Sequence, residues 1–114
     1  MDRTEKIETK IIHTGRDPES FRGSVNPPVY HFSTVLYKSV DELVSRYDNI
    51  TPDSRVMTYG TKGSPTSFSI EDAVAELEGG FRSISFPSGL AAVAGALFAF
   101  LKSGDHLLMT DSVY

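Results

Sequence analysis

Residues 82–110 read RSISFPSGLAAVAGALFAFLKSGDHLLMT, and this stretch decides the fold. Arg82 to Phe86 alternates polar and apolar side chains, the two-residue period of a strand. Pro87-Ser88-Gly89 is a sharp turn. Residues 89–101 carry no polar side chain. At about 1.5 Å per residue they are too short to span a bilayer, so they predict a helix buried on most faces. Its alanines and Gly95 suit close packing on a sheet. Lys102 is expected in its last turn, and Gly104 is expected to end it. His106 to Thr110 then reads as a second strand. Strand, helix and strand predict a βαβ unit with parallel strands and a right-handed crossover. Two parallel strands cannot form a sheet covered on both faces. The expectation is an α/β fold truncated after its first βαβ unit.

Upstream, Ile70, Ala73, Val74 and Leu77 recur at helical spacing, with Glu71, Asp72, Glu76 and Glu78 on the opposite face. This predicts a helix from Thr66 or Ser67 to the Gly79-Gly80 stop. Ser39 and Glu42 form a capping-box pattern, so a short helix should run to about Arg46 or Tyr47. Asp41 and Glu42 suit its first turn. Residues 48–66, with Pro52, Gly60, Gly63 and Pro65, read as loop. From Met1 to about Tyr37 the turn signals Gly15, Asp17-Pro18, Gly23 and Asn26-Pro27-Pro28 break any continuous helix. That segment reads as a mostly irregular arm, and such an arm needs a surface to lie on. Its apolar Ile11, Ile12, Val29, Tyr30, Phe32 and Val35 argue against a solvated tail.

The 114 residues allow one domain at most. The net charge of −4 disfavours nucleic acid and offers no basic membrane anchor. The absence of cysteine excludes disulfides, thiolate chemistry and thiolate metal sites. His13, His31 and His106 are scattered without ligand spacing, and no metal site is expected. The charged MDRTEKIETK start lacks an apolar signal region, which leads to a cytoplasmic expectation.

Three segments can carry chemistry. The Pro87-Ser88-Gly89 turn feeds a helix, so free amides and the positive dipole end form an anion site. Gly89 allows close approach and Ser88 offers a hydroxyl, although the same turn also serves as a plain helix cap. Tyr59-Gly-Thr-Lys-Gly-Ser-Pro-Thr66 joins an aromatic hydroxyl, the Lys62 cation and two glycines; an ordinary solvent loop has the same composition. Asp111-Ser-Val-Tyr114 follows the second strand, and ligands bind beyond strand carboxyl ends in open α/β sheets. There Tyr114 either stacks on a flat ligand or packs.

VNPPVYHFSTVLY (25–37), YGTKGSPT (59–66), ELEGG (76–80), FPSGLAAV (86–93) and SGDHLLMTDSVY (103–114) together resemble the N-terminal part of the Cys/Met-metabolism family of pyridoxal-phosphate enzymes. The arm and the last segment most resemble the branch that cleaves cystathionine. The resemblance implies an aspartate-aminotransferase-like architecture (fold type I). Residues 1–58 would be an N-terminal arm with a short helix, and 59–114 the start of the large cofactor-binding domain. It implies pyridoxal 5'-phosphate as cofactor and an amino-acid substrate, and a homo-oligomer, dimer or tetramer, across which the arm reaches. The implied reaction is β-elimination on L-cystathionine to homocysteine, pyruvate and ammonia. A γ-synthase, γ-lyase or sulfhydrylase, or a non-catalytic phosphate-binding module, are the alternatives. It implies that Ser88, Gly89 and Leu90 hold the cofactor phosphate and that Tyr114 stacks on the pyridine ring. Tyr59 would come from the neighbouring subunit to bind phosphate and assist proton traffic. The family loop reads Tyr-x-Arg, whereas Thr61 stands at the arginine position here. The lysine that bonds to the cofactor lies further along in the family, and Lys6, Lys10, Lys38, Lys62 and Lys102 do not match it.

Overall fold

Most of the helices have a local cause for their boundaries. The computed structural model describes residues 6–51 and 54–112. α1 spans Ile7–His13, α2 Val40–Asp48, α3 Pro65–Leu77 and α4 Gly89–Phe100, with a 3-10 turn at Gly60–Lys62. At α2 the Ser39 hydroxyl accepts the Glu42 amide at 3.1 Å. The Glu42 carboxylate accepts the Lys38 amide at 2.9 Å, one residue earlier than a standard capping box. α3 begins at Pro65, whose missing N–H costs nothing at the first helical position. Ser64 precedes it, and its amide donates to the Ser67 hydroxyl at 2.9 Å. At the other end the Gly80 amide reaches Ala75 O at 2.8 Å and the Gly79 amide reaches Glu76 O at 3.3 Å. That is a Schellman closure, and it needs the positive φ of 66° that Gly79 adopts.

α1 is a helix within the expected irregular arm. It lies against α3. Just past it, Thr14 donates to the Glu76 carboxylate. Further along, Tyr30 N donates to the Thr66 hydroxyl at 2.8 Å, and that hydroxyl donates to Pro28 O at 2.9 Å. The arm therefore finds a surface on α3 of its own chain. α3 meets these neighbours with Thr66, Ser69, Ala73 and Glu76, while Glu71 and Asp72 meet arginines. Its apolar Ile70, Val74 and Leu77 are exposed, and Ala75 is the buried apolar residue among those described.

The strands expected at 82–86 and 106–110 do not form: among the described residues there is no strand, only an isolated antiparallel bridge between Thr34 and Tyr59. The βαβ unit is accordingly absent from this structure. A parallel ladder needs neighbours and covered faces, and two segments supply neither. α4 forms as expected but has no buried residue, with Leu90, Phe98 and Phe100 more than four-fifths exposed. Its covered spot is Gly95, where a methyl would run into the Phe86 ring. Lys102 lies past the helix rather than in its last turn. Leu101 turns extended, and the Asp105 carboxylate accepts the Lys102 amide at 2.7 Å, closing a new turn there. Backbone contacts divide the chain into two compact units, Met1–Ile84 and Ser85–Tyr114.

One turn of the arm is held by a carboxylate. The exposed Asp17 carboxylate accepts both the hydroxyl and the amide of Ser20, at 3.3 Å for the amide. These bonds favour the charged form and hold Asp17 below the ordinary carboxylate range. A lowered value means that the turn's support is complete above about pH 4 and is lost as pH falls through the folded value. The protection of the Ser20 amide relative to its intrinsic exchange rate is expected to fall on acidification, and Asp17→Asn to flatten that response. An identical acid response in the variant would remove Asp17 as the cause.

Candidate cofactor-phosphate site

The start of α4 is built from backbone. Ser88 is extended, with φ −156° and ψ 157°, and its hydroxyl oxygen accepts the Ala91 amide at 3.2 Å. Its carbonyl accepts Ala92 N at 3.1 Å. The cap thus uses the oxygen of Ser88 as acceptor and leaves the O–H to donate outward. Among the described residues no acceptor meets the amides of Gly89 or Leu90. A methyl built on Gly89 would meet nothing within 4 Å. Two unpartnered amides, one hydroxyl and open space at the positive end of a helix fit a phosphate dianion. The donor set present therefore suits the phosphate of pyridoxal phosphate.

The Tyr59 loop belongs to the other compact unit. Tyr59 is extended, 45% exposed, and precedes the 3-10 turn. The turn is fixed at both ends by glycines. Gly60 donates to Ser33 O at 2.7 Å, and a methyl there would run into the Phe32 carbonyl oxygen. Gly63 has φ 108°, and a methyl there would run into the Phe68 ring. Between them Thr61 and Lys62 are exposed. Just upstream, the Tyr37 hydroxyl donates to the carbonyl of buried Thr58 at 3.4 Å.

Among the expected site residues, Ser88, Gly89 and Leu90 are together at the start of α4, whereas Tyr59 stands in the Met1–Ile84 unit. Tyr114 lies outside the described residues, and the segment leading to it reaches only Ser112. Sequence reading missed the groups around the loop. Arg55 donates to Asp72 through Nε at 3.0 Å and to Glu71 through Nη1 at 3.0 Å. Arg82 joins Asp72 at 2.9 Å. The one signal for this was the Glu71-Asp72 pair, and its arginines are remote in sequence.

The chain resembles a Rhizobium johnstonii protein named "Putative cystathionine beta-lyase", 42% identical over 95% of this chain and 26% of that protein. Cystathionine beta-lyase MetC of Escherichia coli K12 is 35% identical over 96% of this chain and 27% of its own length. An L-alanine/L-glutamate racemase of Wolbachia pipientis wMel is 36% identical over 96% and 29%. The chain thus spans between a quarter and a third of these relatives. The family model for Cys/Met metabolism PLP-dependent enzymes matches residues 8–114. A match over nearly the whole chain leads to one conclusion: the chain belongs to the Cys/Met metabolism family of pyridoxal-phosphate-dependent enzymes.

Proposed function

We propose that this chain serves a carbon–sulfur lyase of the cystathionine β-lyase type and supplies the phosphate end of its cofactor site. The observation that carries this is the Ser88-Gly89-Leu90 start of α4, with two unpartnered amides and room at Gly89. Bound there, pyridoxal phosphate supplies an electron sink for charge at the substrate α-carbon. Gly89 and Leu90 donate their amides to the phosphate, and Ser88 donates its hydroxyl while capping the helix. Tyr59, exposed on its glycine-framed loop, reaches the phosphate of a partner subunit and handles a proton at its phenol oxygen. Tyr114 stacks on the pyridine ring. The working form is a cytoplasmic homo-oligomer, dimer or tetramer, acting on a small amino acid. Its first 58 residues form the arm, and 59–114 open the large domain. Pyruvate and homocysteine release from cystathionine by the full-length protein is the test; a protein that binds the cofactor and releases neither is not this lyase.

A second reading has one observation behind it. The racemase relative matches the chain as well as the Escherichia coli lyase does. Interconversion of alanine enantiomers without pyruvate would decide for it.

Thr61 bears on the phosphate directly. It is exposed on the 3-10 turn, so a longer side chain has room there. In the full-length protein Thr61→Arg is expected to tighten cofactor binding about ten-fold, since a forked charge-assisted contact is worth about 1.5–3 kcal/mol. Lys62 offers only a point charge. An unchanged dissociation constant in an absorbance titration would mean another group already fills this role.

A further inference from the structure

Arg55 links the segment that enters the Tyr59 loop to the ring that faces the loop's far end. It precedes Tyr59 by four residues, and its side chain is part-buried. Its Nε and Nη2 both bind the Asp72 carboxylate, while Nη1 binds Glu71, whose side chain is 12% exposed. Asp72 is held a second time by Arg82. The guanidinium lies 5.2 Å from the centre of the Phe68 ring. That ring fills the space at Gly63, the far end of the loop, where φ is 108°. One planar cation therefore ties the segment entering the loop to α3 and backs the ring against which the loop closes. Partly buried ion pairs add little net stability. A fork held at three points adds geometry instead.

We infer that Arg55 is a positioning residue which, through Asp72 and the Phe68 ring, fixes the loop from Tyr59 to Gly63. Its bearing on cofactor binding rests on the role proposed above for Tyr59. The loop gains a defined frame while Thr61 and Lys62 keep their freedom to meet an anion. Loss of the fork lets Phe68 turn and Gly63 relax, and Tyr59 loses its fixed approach.

The test uses the full-length protein and two readouts. In Arg55→Met, amide exchange at residues 60–63 without cofactor is expected to quicken about ten-fold, with α4 unchanged. Cofactor affinity by absorbance titration is expected to fall about ten-fold as well, with Arg55→Lys recovering part of the loss because it keeps charge but not the fork. Should Arg55→Met fail to fold, Asp72→Asn is expected to give the same loop-limited exchange. Arg55→Met with Tyr59→Phe should bind cofactor no more weakly than Tyr59→Phe alone. Unchanged loop exchange, exchange quickened equally throughout α3 and α4, or additive losses in the double variant would each overturn the inference. Quickened loop exchange with a Tyr59→Phe affinity equal to wild type would support the anchor and overturn the Tyr59 assignment.

Discussion

Residues 1–114, purified and given excess pyridoxal phosphate, are expected to release pyruvate from cystathionine no faster than free pyridoxal phosphate does. The reaction uses a lysine amine as its activated nucleophile, and the resemblance puts that lysine further along the family's chain than any lysine here. Lys6 and Lys10 belong to the start of α1 and to α1 itself, and Lys38 precedes α2. Lys62 sits in the framed loop. Lys102 follows α4 at the end opposite Gly89, about 18 Å away along the helix axis. A lysine side chain reaches roughly 6 Å from its Cα. Enzymes of ordinary power exceed the uncatalysed rate by about 10⁶-fold or more, so the contrast with a full-length enzyme is large. Turnover well above the free-cofactor background, abolished by replacing one of these five lysines, would show that the chain holds its own nucleophile.

Gly89→Val in the full-length protein is expected to separate cofactor affinity from folding. Nothing lies within 4 Å of the position a Cβ would take, so the chain itself does not require glycine there. The cofactor-free melting temperature should therefore hardly change, within about 0.5 kcal/mol of stability. An isopropyl group in the cradle would hold the phosphate off the Gly89 and Leu90 amides. Two charge-assisted bonds at about 1.5 kcal/mol or more each make the loss about 100-fold in the dissociation constant. Unchanged affinity would exclude the cradle role. A large fall in the cofactor-free melting temperature would make Gly89 a packing residue instead.

The legible parts of the sequence were those with local causes. Ser39 and Glu42 announced α2, Gly79 announced the end of α3, and Ser88-Gly89 announced the start of α4. The start of α3 was also written locally, in Ser64, Pro65 and Ser67, but Pro65 reads as a breaker unless its first-turn tolerance is considered. α1 has no side-chain cap, so its seven residues gave no boundary signal. The alternation in 82–86 is a strand pattern, yet a ladder is a property of two partners and no pattern in one segment supplies the second. The composition of α4 foretold an apolar helix; what covers Leu90, Phe98 and Phe100 is not a local matter. The Arg55 tie joins residues 17 apart in sequence through side chains, and neither propensity nor spacing encodes that meeting.

The glycine pair at 60 and 63 divides the Tyr59 loop into a fixed mould and a variable filling. The mould is steric: one glycine is pressed on the Phe32 carbonyl and the other on the Phe68 ring. The filling is the exposed dipeptide Thr61-Lys62. Mutation can therefore sample charge, length and hydrogen-bonding capacity at two adjacent positions without renegotiating the backbone around them. Thr61, standing between the two glycines where the resemblance expects arginine, is one such filling. For an engineer the same four residues form a ready two-codon library, in which anion affinity is tuned while the loop's shape is inherited unchanged.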